Sequence, residues 1–265
     1  MIKMLVDVHV HLDHVHYEDK LDKIIQESKK AGVKYIVTSG INTPSNRKNL
    51  EISKKYKDIV KFSAGLYPID LLGLPSDEPG LPRQYQKINI DEEFAWIKKN
   101  KDDIISIGEV GMDFKISTDT KKKQTENFQK IIEFTEKLKK PMVIHSRKAE
   151  AEIIDMLQSS KLKKVDMHCF TGNKKLIKKA SDLGYTFSIP SIINKLEHFK
   201  MLVDMVPLTQ LLTETDGPWL SPIPNEMNHP RNVQVSIQEI AKVKKMEQEE
   251  VIKNIFMNFQ KMFLK

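Results

Sequence analysis

The 265-residue sequence contains a single cysteine, Cys169. One cysteine excludes an intramolecular disulfide framework and any zinc site built from several thiolates, and it indicates a reducing, intracellular setting. A metal ion bound by this protein would therefore need histidine and carboxylate ligands.

Long apolar runs are also missing. No segment approaches the roughly 18 apolar residues that a transmembrane helix needs, and Asp7, His9 and His11 interrupt the first apolar stretch too early for a signal-peptide core. No strand-like run is followed by Gly-X-Gly-X-X-Gly, which argues against a dinucleotide cofactor. We therefore expect a cytoplasmic protein without membrane association.

Arginine is scarce in a basic chain. The net charge is +7, and only four of the 43 basic residues are arginines. Lysines on solvated helix faces explain such a charge as readily as an acidic partner does. The four arginines each follow a predicted strand, where guanidinium groups would suit phosphate oxygens; they are Arg47, Arg83, Arg147 and Arg231.

Strand-like and helix-like patterns alternate along the whole chain. Eight strands are predicted, at 4–10, 34–39, 60–64, 104–108, 142–144, 164–167, 185–189 and 210–213. Amphipathic stretches lie between them, and no linker-like segment divides them. The pattern predicts a single α/β domain over residues 1–265, a closed (β/α)8 TIM barrel, with a last helix around Val251, Ile255 and Phe259 packed on its outside.

Five predicted strands end in, or lead directly into, residue types that bind metal ions. Because residues two apart in a strand share a side, His9 and His11 can present two imidazoles to one ion. Glu109, His145 and His168 follow later strands, and Asp216 follows the last. The active site of a TIM barrel lies at the carboxyl ends of its strands, where all of these residues are expected.

Five segments containing these strand ends carry a resemblance to a known family. They are Asp7-Val8-His9-Val10-His11-Leu12-Asp13, Ile107-Gly108-Glu109-Val110-Gly111-Met112-Asp113, Ile144-His145-Ser146-Arg147, His168-Cys169-Phe170-Thr171-Gly172 and Thr213-Glu214-Thr215-Asp216-Gly217-Pro218-Trp219. In this order, they resemble the TatD family of metal-dependent deoxyribonucleases. The resemblance implies a TIM barrel of the amidohydrolase superfamily that hydrolyses phosphodiesters.

The resemblance also implies roles for individual residues. His9 and His11 would bind one divalent metal ion, His145 and His168 a second, with Glu109 bridging the two. Asp216 would be both ligand and proton acceptor, so Glu109 and Asp216 are the expected catalytic groups. The metals would be Zn, Mg or Mn, and the substrate DNA, as a single strand or a 3′ end. We expect substrate contacts from the residues Tyr67, Arg147 and Arg231.

Several of these residues have alternative interpretations. Glu109 and Asp216 could instead form ion pairs at the barrel mouth, and Asp13 and Asp113 could orient histidines or simply belong to turns. We interpret His14 and His16, a second His-X-His pair, as solvated loop residues. Cys169 is expected to be a packed thiol rather than a nucleophile.

Two departures from the family pattern fall where substrate would bind. Gly65-Leu66-Tyr67-Pro68-Ile69-Asp70 lacks the histidines of a Gly-X-His-Pro-His motif, and Arg231-Asn232-Val233-Gln234 replaces an Arg-Asn-Glu-Pro motif. The proline- and glycine-rich stretch 67–89 is either a lid over the site or a disordered insertion. The main hypothesis is a 3′-5′ exodeoxyribonuclease. Its rivals are hydrolysis of a small amide, ester or lactone, and a non-catalytic nucleic-acid-binding barrel.

Overall fold

The strands form one parallel sheet. A computed structural model describes residues 4–75, 80–82 and 87–264. Each strand pairs with its neighbour in sequence, in the order β1 to β8. The strands are β1 (Leu5–Val10), β2 (Val33–Ser39), β3 (Val60–Leu66), β4 (Ile104–Asp113), β5 (Met142–Arg147), β6 (Val165–His168), β7 (Thr186–Pro190) and β8 (Leu211–Glu214). The eight predicted strands are confirmed, although β4 continues past Glu109.

Helices follow the strands and pack around the sheet. The described residues contain α1 (Leu21–Ala31), α2 (Thr43–Lys55), α3 (Ile90–Lys99), α4 (Lys121–Leu138), α5 (Glu150–Gln158), α6 (Lys174–Asp182), α7 (Glu197–Met205), α8 (Val233–Lys244) and α9 (Gln248–Phe259). This alternation of parallel strands and helices is the predicted (β/α)8 barrel. No helix in this part of the chain has the length and apolarity to cross a membrane.

Strands β1 and β8 meet through backbone and side-chain hydrogen bonds. Val10 and Gly217 form a parallel bridge, and the Asp216 N–H donates to the His9 carbonyl and the His11 N–H to the Gly217 carbonyl, each at 2.9 Å. The Thr213 hydroxyl donates to the Val6 carbonyl at 2.6 Å, and both the hydroxyl and the N–H of Thr215 donate to the Asp7 carboxylate, at 2.6 and 3.0 Å. These bonds close the barrel and bring the end of β8 beside β1.

The C-terminal helix packs as predicted. Val251, Ile255 and Phe259 on α9 are buried, and α9 contacts β1 and β8. Its apolar face therefore covers the outside of the barrel where the first and last strands meet. The stretch 67–89, predicted to be a lid or an insertion, is described only in part, because residues 76–79 and 83–86 lie outside the described residues.

One predicted phosphate-binding arginine has a structural role instead. Arg47 donates from Nη1 and Nη2 to the two carboxylate oxygens of Glu93, at 2.6 and 2.9 Å, and lies 3.7 Å above the ring centroid of Trp96. Glu93 is buried, and it also accepts hydrogen bonds from Thr43 and Asn46. The arginine therefore joins α2 to α3, and its fork is already occupied by a carboxylate.

Removing this arginine should lower the stability of the fold. In Arg47→Ala the Glu93 carboxylate keeps its burial but loses two charged hydrogen bonds, so we expect a loss of about 2 kcal/mol in the free energy of unfolding. The midpoint of urea unfolding measures it. The control is Lys54→Ala, which removes an exposed pair with Asp103 and should cost less than about 1 kcal/mol. Equal midpoints for the two variants would contradict the structural role.

Candidate metal centre

Four histidines and two carboxylates meet inside the mouth of the barrel. They come from five strands or the residues directly after them: His9 on β1, Glu109 on β4, His145 on β5 and His168 on β6, with His11 just after β1 and Asp216 just after β8. Five of the six residues are buried, and the Asp216 side chain is 17% exposed. Residues more than 200 positions apart are thereby placed in one cluster.

His9, His11, Glu109 and Asp216 form the tightest group. The Nε2 atoms of His9 and His11 are 3.2 Å apart. Glu109 Oε2 lies 3.4 Å from His9 Nε2 and 3.7 Å from His11 Nε2. Asp216 Oδ1 lies 3.8 Å from the first nitrogen and 3.5 Å from the second. All four donor atoms therefore face one point.

His145 and His168 complete the cluster, each beside a different carboxylate. His145 Nδ1 lies 2.7 Å from Glu109 Oε1, the oxygen that does not face His9 and His11. His168 Nε2 lies 3.9 Å from Asp216 Oδ1, and its ring stacks on that of His9 with centroids 3.6 Å apart. Glu109 thus presents Oε2 to His9 and His11 and Oε1 to His145.

Three of the histidines are held from behind by a polar group. The Ser39 hydroxyl faces His9 Nδ1 at 3.3 Å, and Asp113 Oδ2 faces His145 Nε2 at 3.3 Å. Glu214 Oε2 lies 2.7 Å from His168 Nδ1. Such partners fix the orientation of a ring and direct its other nitrogen to a metal ion.

The cluster has a charge distribution in which the carboxylates are ionised. Burial raises the pKa of Glu109, but hydrogen bonds with His145 and His9 outweigh it and hold that pKa well below its usual range. Burial likewise raises the pKa of Asp216, and the charge of His168 and the hydrogen bond with His11 lower it below the ordinary value. Two ionised carboxylates in a buried site require compensating positive charge.

The donor set fits divalent metal ions. Ligands about 2.0–2.2 Å from a tetrahedral ion are roughly 3.3 Å apart, close to the 3.2 and 3.4 Å separations around His9 Nε2. There are two sets of three donor atoms in which all the atoms lie within 4.8 Å of one another. One set comes from His9, His11 and Glu109, and the other from His9, His168 and Asp216. Imidazole with carboxylate suits Zn and related divalent ions.

The backbone around Glu109 and Asp216 is closely constrained. The N–H of Glu109 donates to the Gly40 carbonyl at 3.1 Å, across the end of β3. A Cβ at Gly65 would collide with both groups, so only glycine permits this approach. Asp216 adopts a left-handed φ of 55°, and its N–H donates to the His9 carbonyl at 2.9 Å. The two carboxylates are therefore positioned by backbone bonds as well as by the histidines.

A cavity of about 310 Å³ opens above the cluster. Its lining includes Glu109, His145, His168 and Asp216, together with the residues Ser146, Arg147, Cys169, Thr171, Trp219 and Leu220. Arg147 lies beside Asp113, with Nη1 3.7 Å from Oδ2. Burial raises the pKa of the Cys169 thiol well above its usual value, which agrees with a packed thiol rather than a nucleophile.

The structure does not bring every predicted substrate contact to this cavity. Tyr67 is fully buried, and its hydroxyl donates to Asp113 Oδ2 at 3.0 Å, so it supports the partner of His145 and does not face substrate. Arg231 donates to Glu27 on α1 at 2.8 Å and is absent from the described cavity lining. Arg83 lies outside the described residues. Among the predicted substrate residues, Arg147 lines the cavity.

The neighbouring histidine pair also differs from expectation. His16 is exposed, as predicted for a solvated loop residue, but His14 is 2% exposed. Its Nδ1 accepts a hydrogen bond from the His16 N–H at 3.1 Å, and its ring lies edge-on to Trp219. His14 therefore packs beneath a residue of the cavity wall.

Two acidic residues that sequence reasoning missed are central to the site. Glu214 holds His168 and also accepts from the Cys169 N–H at 3.0 Å. Burial raises the pKa of Glu214 to about 7. Asp7 links β1 to Thr215, as described above. Each precedes a predicted ligand by two residues, Glu214 before Asp216 and Asp7 before His9. Because residues two apart in a strand share a side, this spacing could have indicated that both residues belong to the site.

Comparison with known proteins identifies the family of this chain. A sequence model of the family described as TatD related DNase matches residues 6–264. The chain belongs to this family. It is 36% identical over 260 residues to an uncharacterized metal-dependent hydrolase, MJ1582, of Methanocaldococcus jannaschii, which covers 97% of this chain and 96% of that protein. Deoxyribonuclease TATDN3 of Homo sapiens is 32% identical over 265 residues, covering 98% of this chain and 95% of that one.

A solved structure agrees with the fold. The TatD homologue YJJV of Escherichia coli K12 has a TM-score of 0.86 and 19% sequence identity, with complete coverage of both chains. The predicted TIM barrel and the predicted family are therefore confirmed, and the protein is a TatD-type metal-dependent hydrolase.

Replacing the carboxylate shared by the two sides should disrupt metal binding. Glu109→Gln removes the charge and one anionic oxygen, so an amide cannot join two cations. We expect less bound metal, measured by mass spectrometry, together with loss of hydrolysis. The control Glu51→Gln removes the same charge from an exposed position on α2 and should keep the wild-type metal content. Full metal occupancy with wild-type turnover in Glu109→Gln would contradict the bridging role.

Proposed function

We propose that this protein is a metal-dependent phosphodiesterase that hydrolyses DNA, acting as a 3′-5′ exodeoxyribonuclease with two divalent metal ions. The observation that carries the proposal is the convergence of Glu109 and Asp216 with the four histidines at the mouth of the barrel, next to the Arg147 side chain. The relative named deoxyribonuclease TATDN3 supports the substrate class.

The metal ions would be held in two groups. In the first, His9 and His11 direct their Nε2 atoms to the point faced by Glu109 Oε2 and Asp216 Oδ1. In the second, His145 would supply a nitrogen beside Glu109 Oε1, and His168 would supply another from beside Asp216 Oδ1. The chemistry supplied by divalent ions, when bound, is polarisation of a phosphoryl oxygen and acidification of water.

Asp216 is the proton acceptor in this proposal. Its side chain is 17% exposed and that of Glu109 only 4%, so Asp216 is the more accessible of the two carboxylates to water in the cavity. Its lowered pKa keeps it ionised. It would take the proton of the attacking water and pass one to the leaving oxygen of the broken phosphodiester.

Arg147 would bind substrate phosphate at the cavity wall. Its side chain is 31% exposed, and it follows His145 by two residues on β5. Asp113, which also faces His145, lies beside it. A phosphate contacted by Arg147 would therefore be close to the metal centre, and the planar guanidinium suits phosphate oxygens.

Purified, metal-supplemented protein assayed on three substrate classes tests the function. The classes are single-stranded DNA, a bis-aryl phosphodiester, and a panel of small amides, esters and lactones. We expect hydrolysis of the first two and release of mononucleotides from the 3′ end of DNA. Turnover confined to amides, esters or lactones would replace this proposal with the small-molecule hydrolase, and no turnover with any class would favour a non-catalytic barrel.

Replacing the proton acceptor should reduce turnover more than metal binding. In Asp216→Asn the four histidines and Glu109 remain, while the carboxylate that takes the proton is gone, so we expect a rate loss on the order of 100-fold or more. Steady-state rates across pH and metal content by mass spectrometry measure the two effects. Near-normal rates over the pH range would make Asp216 structural and move the search for the base to Asp113.

The two arginines predicted at the site should now behave differently. Arg147→Ala removes a phosphate contact, so the log-log slope of single-stranded DNA affinity against salt should become shallower by roughly 0.7. Arg231→Ala is the matched control, because Arg231 pairs with Glu27, and it should keep the wild-type slope. Equal slopes in wild type and Arg147→Ala would remove this residue from the DNA contact.

A further inference from the structure

A second cavity lies on the rim of the barrel, between the start of α3 and the first turns of α4. Its volume is about 360 Å³. The lining contains three lysines, Lys87, Lys123 and Lys130, and one acidic residue, Asp91. The other lining residues are Leu71, Ile88, Asn89, Ile90 and Asn127. The charged groups of this cavity are therefore predominantly basic.

The lysines of this rim cavity are exposed and only partly neutralised. Lys123 Nζ pairs with Glu126 at 2.8 Å, an exposed contact along α4. Within the part of the chain that the structure describes, Lys87 and Lys130 form no ion pair. An exposed ion pair such as Lys123 with Glu126 contributes little to stability, so the lysine can readily bind another anion instead.

Asn127 gives this cavity a buried polar group. The residue is 6% exposed and lines the cavity from the second turn of α4. Its amide has no hydrogen-bond partner among the described residues. The amide is not among the buried polar atoms that lack a partner, so solvent in the cavity reaches it. Its two N–H donors could bond a phosphate oxygen in place of water. The cavity thus combines ammonium groups with a side-chain donor that is open to its interior.

Hydrogen bonds of Gln124 link the helix that lines the rim cavity to a residue beside the metal centre. This residue follows Lys123 on α4, and its side chain accepts from the Asp113 N–H at 2.7 Å and donates to the Asp113 carbonyl at 2.9 Å. Asp113 in turn faces His145 and Arg147. The lysines therefore lie at the same end of the barrel as the catalytic residues, on the side of β4 and Arg147.

We propose that the rim cavity, formed by Lys87, Lys123, Lys130 and Asn127, binds a phosphate of the DNA strand at a distance from the phosphodiester being cut. The inference rests on the proposed action on DNA. A strand whose reacting phosphate lies at the metal centre passes Arg147 and then reaches the lysines, with the Asn127 amide donating to a phosphate oxygen. The cavity makes long strands better substrates than short ones.

The test compares one triple variant with a matched control in the metal-loaded protein. The combined Lys87→Ala, Lys123→Ala and Lys130→Ala changes remove three charges from the rim. The control combines Lys54→Ala, Lys57→Ala and Lys61→Ala, which line a cavity near the amino ends of β3 and β4. Both are measured for affinity against salt on an oligonucleotide of about 16 nucleotides, and for turnover of that oligonucleotide and of a bis-aryl phosphodiester.

The rim variant should have a salt slope up to roughly 2 shallower than wild type, about 0.7 for each lost contact. Its KM for the oligonucleotide should rise, with turnover of the bis-aryl phosphodiester unchanged. Asn127→Asp, which places a carboxylate in the cavity, should raise the same KM without removing a lysine. Unchanged slopes, an equal effect in the control, or an equal loss on both substrates would overturn the proposal. Hydrolysis by the wild type decides the proposed function separately.

Discussion

The Glu109 carboxylate is the group around which the other ligands are arranged. It is buried, and its two oxygens face different partners, Oε2 the Nε2 atoms of His9 and His11 and Oε1 the Nδ1 of His145. A buried carboxylate without compensating positive charge would be costly. The surrounding residues must therefore bring protonated histidines or cations to both oxygens. This requirement accounts for the imidazoles that β1 and β5 place beside its two oxygens.

The barrel supplies the geometry that this carboxylate needs, and its closure is part of the site. His9 and His11 belong to the first strand and Asp216 to the end of the last, so these ligands meet only if β1 and β8 are held together. The Asp7 carboxylate accepts two hydrogen bonds from Thr215 for that purpose. Burial raises the pKa of Asp7 well above its ordinary value, and the bonds from Thr215 oppose that rise. Stability of the fold and assembly of the metal centre thus depend on the same contacts.

Sequence patterns predicted the strands and the family because both depend on local order, namely the alternation of apolar residues and the motif at each strand end. Sequence patterns did not predict side-chain contacts between residues that are far apart in the sequence. Arg231 pairs with Glu27, which is 204 positions away, and Arg47 pairs with Glu93 across two helices. Tyr67 turns inward to Asp113 because a buried carboxylate offers its hydroxyl a partner. Glu214 was missed although its position two residues before Asp216 put it on the same side of the chain.

With these placements, fewer arginines are available to bind the phosphates of a substrate than the four that the sequence suggested. Arg147 is the arginine that lines the described cavity, and a single guanidinium beside a centre with two carboxylates offers limited attraction to an anionic polymer. Recognition of a strand therefore requires positive charge elsewhere on the same face. In the proposed arrangement, lysines on α4 meet this need, because β4 ends at Asp113 beside His145 and α4 is the next helix of the chain. The basic composition of the chain would then contribute to DNA binding through where its lysines lie, and not through net charge alone.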